Sequence, residues 1–286
     1  MTTLNPSLGR LEQYYDAVPR ASARAEDLGP FTLFVREPPG WPYYARPAIG
    51  WTGPAATAED VDRVRARQRE LGVPEAFEWV AEVTPGLREA VEAAGLRVHA
   101  HPLMVREGDL TDRDADLTDR DGADPAGALP GPHPLVRVLG PDDPFLAGAL
   151  AVPHLAFAAP GTATGPAGPA ELAAEIIARA DELPAGAERV RAGRTVIAAA
   201  VEDGVVLCSG MHLPVGRVSE VVGVGTLPAA RRRGLGLAVT AALVADARTR
   251  GVDTVFLSAG DEDVARIYAR LGFRRVATAL IAEPVA

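Results

Sequence analysis

The chain has 286 residues, room for about two domains at roughly 150 residues each. Hydrophobic residues make up 48% and charged residues 23%, which excludes an intrinsically disordered chain. The formal charge is −9 and all 29 basic residues are arginine, which argues against nucleic-acid binding and excludes a Walker-type phosphate loop or lysine Schiff-base chemistry.

In chain order, the first 20 residues mix polar and charged side chains and lack the apolar run of an export signal. All three tryptophans and four of the five tyrosines precede residue 107, among them Trp41, Tyr43, Tyr44 and Trp51. A helix is predicted over 58–71 and stops at Gly72, followed by a strand over 77–83. A second helix over 85–94 stops at Gly95, and a strand over 97–105 follows. Residues 107–133 read as an acidic linker with seven aspartates and two copies of Leu-Thr-Asp-Arg-Asp. A calcium loop fails there, because Leu117 and Ala128 would occupy its first and last ligand positions.

The part after the linker reads as mixed α/β. Strands are predicted over 135–139, 195–201, 205–212, 219–227, 254–258 and 273–281, and helices over 143–158 and 170–182, from an Arg/Gly-rich turn to Arg250, and over 261–271. Glu202-Asp203-Gly204 marks a hairpin, and residues 158–169 are an Ala/Gly/Thr/Pro loop. The stretch 145–159 is interrupted by Pro153 and His154 and is too short to span a bilayer. Cys208 is the only cysteine, so neither an internal disulfide nor a cysteine-cluster zinc site can form. A reducing, cytoplasmic location is expected, with no membrane or nucleic-acid partner and no metal. Abundant Ala, Arg, Gly and Pro without Lys suggest a GC-rich, bacterial coding genome. The helix-ending glycines lie 23 residues apart in the first part and 21 apart in the second, so the first part reads as a degenerate duplicate.

The strongest chemical signal is Val222-Gly223-Val224-Gly225-Thr226-Leu227-Pro228-Ala229-Ala230-Arg231-Arg232-Arg233-Gly234-Leu235-Gly236, a strand running into a helix. Glycines at a helix N-terminus let backbone N–H groups approach an anion, and arginines add charge suited to phosphate oxygens. A dinucleotide fingerprint fails by register, since its third glycine would fall at Pro228 or Val239. Ser258 lacks the first glycine of a nucleophile elbow, and Cys208 reads as a small buried hydrophobe.

Arg231-x-x-Gly234-x-Gly236 after this strand resembles the coenzyme A loop of the GNAT superfamily of N-acetyltransferases, and Tyr268-Ala269-Arg270-Leu271-Gly272-Phe273 resembles its second signature. The likeness covers 195–282 well and 134–194 in outline. It implies a mixed α+β fold: a GNAT-like twisted central sheet flanked by helices in 134–286, preceded by a smaller degenerate GNAT-like lobe in 1–106. It further implies acetyl-CoA as co-substrate, with its pantetheine arm on the main chain of Val224, Gly225 and Thr226 and its diphosphate on Arg231, Arg232, Arg233, Gly234, Leu235 and Gly236. The acetyl group would lie where this strand parts from 254–258, with a backbone N–H at or near Val224 as oxyanion donor.

Glu220 stands eleven residues before Arg231, where histone-acetylating members carry their base, and Tyr268 stands where the family places its acid. Strand alternation puts Glu220, Val222, Val224 and Thr226 on one face, and His212 is the reserve base. Where members often have Asn at the start of the last helix, this chain has Asp261, which accepts hydrogen bonds but cannot donate them. The expected reaction is direct attack, in a ternary complex, by a primary amine of a small molecule or amino-acid-like acceptor. Trp41, Tyr43, Tyr44 and Trp51 could contribute aromatic surface to the acceptor cleft, or serve as core. A peptide acceptor, a non-catalytic acyl-CoA-binding module and a homodimer remain open.

Overall fold

The computed structural model describes residues 6–37, 41–107 and 129–285, so most of the acidic linker, with its rejected calcium loop, lies outside the described residues. The chain divides into two compact units, Met1–Leu103 with Val276–Ala286, and Met104–Arg275.

The first unit opens with α1 (Pro6–Arg20), a helix absent from the sequence expectations. Leu8, Leu11, Tyr14 and Tyr15 recur on it at helical spacing and are buried. The strands β1 (Ala23–Leu28) and β2 (Phe31–Arg36) form an antiparallel hairpin around Gly29-Pro30. Next, β3 (Ala45–Pro47) pairs antiparallel with β2 and parallel with β4 (Phe77–Val80), and α2 (Ala58–Leu71) makes the crossover. Then come α3 (Leu87–Ala93) and β5 (Leu96–Glu107). The last strand of the chain, Arg274–Pro284, returns to this unit and pairs antiparallel with β4.

One face of these strands supplies Phe31, Leu33, Phe77 and Trp79 to a core closed by Val61 and Val64 of α2 and Leu87 and Val91 of α3. The other face carries Arg46, only 4% exposed, with its guanidinium 4.1 Å from the Tyr15 ring and 3.2 Å from Glu12, so α1 is fastened by an aromatic stack and an ion pair. Burial pushes the neighbouring Glu78 carboxyl up to about 7. Tyr43 bonds Ser22 at 3.0 Å beneath the Arg36 guanidinium and meets Tyr44 edge to face, while Trp41 and Trp51 are exposed.

The second unit comprises β6 (Val136–Leu139), α4 (Leu146–Ala158), α5 (Pro169–Ala178), α6 (Glu182–Arg191), β7 (Val196–Glu202), β8 (Val205–Val215), β9 (Val218–Thr226), α7 (Leu235–Thr249), β10 (Thr254–Ser258) and α8 (Glu262–Ala269), before the last strand, β11. Its strand order is β6-β7-β8-β9-β10, antiparallel except for β9 and β10, which run parallel across the α7 crossover. The helix expected over 170–182 ends at Ala178 as α5, and a second helix that the sequence expectations lack, α6, begins at Glu182. A proline ring clashes with the carbonyl four residues back, so Pro184 is accommodated only in the first turn of a new helix. Asp203 and Gly204, at φ 49 and 77, form the expected tight turn. Gly72, Gly95, Gly251 and Gly272 all have positive φ just beyond helix ends. One face of the sheet packs on α4, where Ser209 donates to the Ala149 carbonyl at 2.7 Å, and the other on α7. No helix among the described residues is long and apolar enough to cross a membrane.

Candidate active site

A cleft of about 1130 Å³ opens along β9. Its walls come from the end of α4 and the following loop, from β9, from the 231–237 turn and from α8. Glu220, Val224, Gly225, Thr226, residues 231–236 and Tyr268 all line it, so the expected base, acid and coenzyme A residues meet in one place, the reserve base His212 excepted.

The strand β9 is irregular where the cleft needs it. Pairing with β10 ends at Phe256 opposite Glu220, while β9 continues to Thr226, so the strands part just beyond Glu220. In the pairing with β8, Met211 faces Val222 and Ser209 faces Gly225, which leaves one extra residue in β9. Gly223 takes up this bulge at φ 64, a conformation that a side chain would strain. The extra residue reverses the alternation, so the expectation of a single face for Glu220, Val222, Val224 and Thr226 is overturned. Glu220 and Val222, opposite Leu213 and Met211, lie on the α4 face. Val224 lies on the α7 face, where a Cβ on Gly210 would come 2.8 Å from Val224 and 3.3 Å from Leu243. Thr226, opposite Cys208, shares that face. Gly223 inside a strand pattern was the available signal for this bulge.

The turn into α7 presents main-chain donors. Arg232 and Gly234 have φ of 68 and 74, and Gly234 caps α7 with no side-chain hydrogen bond to the first-turn amides. Those amides, at the positive end of the helix dipole, fit the oxygens of a diphosphate. The three arginines are deployed differently from one another. Arg231 donates to the carbonyls of Ala156 (2.9 Å), Ala159 (2.6 Å) and Ala163 (3.0 Å), and Arg233 holds Glu202 through two bonds of 2.8 and 2.7 Å. Arg232 is exposed at the cleft.

Tyr268 is half-buried against Phe273, with ring centroids 6.1 Å apart. Burial, aided by nearby Cys208, raises its phenol pKa above the ordinary value, so it stays protonated. Cys208 is fully buried, accepts a bond from the Thr226 hydroxyl at 3.2 Å and has its thiol pushed up to about 12, which removes it as a nucleophile. Asp261 caps α8 by accepting from the Val264 amide at 2.8 Å. The reserve base, His212, is fully buried and does not line the cleft. Its Nε2 donates to Asp246 at 3.0 Å, and its Nδ1 accepts from the Ser219 hydroxyl at 2.8 Å. With both ring nitrogens engaged, it is withdrawn as a base.

Fold and cleft together define a protein with the GCN5-related N-acetyltransferase (GNAT) fold, and residues 207–281 match the FR47-like protein family. Nearly the whole chain is similar in structure to a GCN5-related N-acetyltransferase from Kribbella flavida, at 20% identity over 97% of this chain and 95% of that one, with a TM-score of 0.64. A GCN5-related N-acetyltransferase-like protein from Streptococcus suis is similar at 12% identity over 96% of each chain, with a TM-score of 0.53. A tandem GNAT protein from the clavulanic acid biosynthesis pathway is similar at 18% identity over 88% of this chain and 78% of that one, with a TM-score of 0.52. No curated protein matches in sequence. The resemblance to two-lobed GNAT proteins read from the sequence therefore holds.

Proposed function

We propose that the protein is a cytoplasmic N-acetyltransferase that takes its acetyl group from acetyl-CoA and passes it to a primary amine of a small-molecule or amino-acid-like acceptor. The observation that carries this reading is one cleft joining a helix-terminal anion cradle to Glu220 and Tyr268 at the bulge of β9. Bound acetyl-CoA supplies an acyl group already activated as a thioester.

The chain's own residues divide the remaining work. The amides of 232–236 hold the diphosphate, and the main chain of Val224, Gly225 and Thr226 orients the pantetheine arm. Glu220, on the α4 face, accepts the proton of the attacking amine. A backbone N–H released from the ladder by the bulge donates to the carbonyl oxygen as negative charge develops. Tyr268 donates to the departing sulfur.

An amine-panel screen with acetyl-CoA, read by coenzyme A release and product mass, tests this. Glu220→Gln keeps the shape and removes the proton acceptor, so turnover near neutral pH should fall by about 10²-fold with acetyl-CoA affinity unchanged. Binding without turnover on any amine would leave only an acyl-CoA-binding module, and acetylated peptides in place of small amines would reassign the acceptor.

A further inference from the structure

The arginine that opens the cradle motif has its guanidinium turned away from the cradle. Arg231 reaches the last turn of α4 at the Ala156 carbonyl and the following loop at the Ala159 and Ala163 carbonyls. Carbonyls in the last turn of a helix lack partners within it and carry the negative end of its dipole, so a fixed cation there is favourable. Two of these contacts bracket Pro160, Gly161 and Thr162, which line the cleft. The second half of the loop is held separately by main-chain bonds, Gly165 N–H to the Pro228 carbonyl at 3.1 Å and Ala229 N–H to the Ala167 carbonyl at 3.0 Å. Arg231 thus ties both sides of 160–162, at Ala159 and Ala163, to the end of α4 at Ala156, while its own backbone begins the turn that presents the anion-binding amides.

We propose that Arg231 is a positioning residue: it fastens the 160–164 wall to the cradle, so that filling the cradle fixes that wall. The ligand assigned to the cradle rests on the proposed use of acetyl-CoA, whereas the fastening itself does not. Because coupling is reciprocal, a wall already in place strengthens occupancy of the cradle, and a loose one withholds that gain. A planar fork suits three carbonyls in different directions, which the compact ammonium of lysine cannot span. A phosphate, by contrast, accepts either cation.

Limited proteolysis and calorimetry on Arg231→Lys and Arg231→Ala separate these roles. Without ligand, subtilisin cleavage within 160–164, located by mass spectrometry, should speed up by about tenfold or more in both variants, while 165–168 keeps its resistance as an internal control. With acetyl-CoA, the wild-type protein should gain resistance at 160–164 and amide-exchange protection at 234–237, and Arg231→Lys only the protection at 234–237. Unchanged cleavage of 160–164 in a folded, ligand-free Arg231→Lys variant overturns the proposal. So does an acetyl-CoA affinity lost in Arg231→Ala and restored in Arg231→Lys, since that pattern belongs to a phosphate ligand. Failure of the wild-type protein to bind acetyl-CoA would overturn the acetyltransferase reading, and the ligand-free cleavage would still decide what Arg231 holds.

Discussion

Burial raises the phenol pKa of Tyr268 above its ordinary value of about 10, while a free thiolate protonates near about 8.5. In the proposed reaction, full proton transfer from the resting phenol to sulfur is therefore uphill, and Tyr268 would contribute a hydrogen bond that strengthens as charge builds on the leaving group. Tyr268→Phe deletes that bond and keeps the ring against Phe273. Turnover should fall by about 10²-fold, or about 2.7 kcal/mol of barrier, with little change in acetyl-CoA affinity. Steady-state kinetics and a melting curve on the same variant check it, since lost stability with normal turnover would return Tyr268 to a packing role. For His212, burial is the first cause of a lowered pKa, partly offset by Asp246. On acidification below about 6.5 the unfolded chain takes up this proton first. The stability linked to neutral His212 is thus present above that pH and lost as pH falls toward the folded-state value. Glu78, raised by burial, acts in the opposite sense, losing stability as pH rises toward about 7. The informative quantity is therefore the difference between proteins: the melting temperature of His212→Gln should depend less on pH between about 7 and 5.5 than that of the wild type.

Among the elements, α7 and its approach supply the anion site of the proposed function. Gly234 sits at φ 74, and a β-branched side chain there is strained whatever the surrounding space. Gly234→Val should abolish acetyl-CoA binding by calorimetry while circular dichroism shows a retained fold. Unchanged affinity in a folded variant would sink the cradle assignment. Elements bounded by strong punctuation were legible in the sequence: α2 over 58–71 and β10 over 254–258 have the predicted limits. The less legible elements are those whose identity rests on pairing. The three residues of β3 carry too little period-2 pattern to read, yet β2 and β4 hold them as a strand. The α1 residues Leu8, Leu11, Tyr14 and Tyr15 recur at helical spacing in the sequence, but no helix-ending glycine follows Arg20 to mark the element there.

For the molecule as a whole, the two units share a parallel strand–helix–strand crossover but differ at the helix start. In the first unit Thr57 and Asp60 cap α2 reciprocally, and Glu59 and Asp60 place negative charge in its first turn. That N-terminus has a side-chain cap on the Asp60 amide and acidic groups that repel an anion, whereas α7 begins with no side-chain cap. Titration should accordingly find one acetyl-CoA per chain, with Gly234→Val reducing the count to none; two equivalents would show that the first unit also binds. Saturating acetyl-CoA at about 100 times its Kd should stabilise the protein by about 2.7 kcal/mol. The kind of fold, the cradle motif and the residues lining the cleft were written locally, in glycines at helix ends and in two spaced signatures, because local backbone conformation and short-range patterning record them. Three things were decided only in three dimensions: Glu220 and Thr226 on opposite faces of β9, Arg231 spent on distant carbonyls, and His212 buried between Ser219 and Asp246. Each depends on a partner that the chain reaches only after folding, through a one-residue register shift, a loop some seventy residues earlier in sequence, or a helix packed across the sheet.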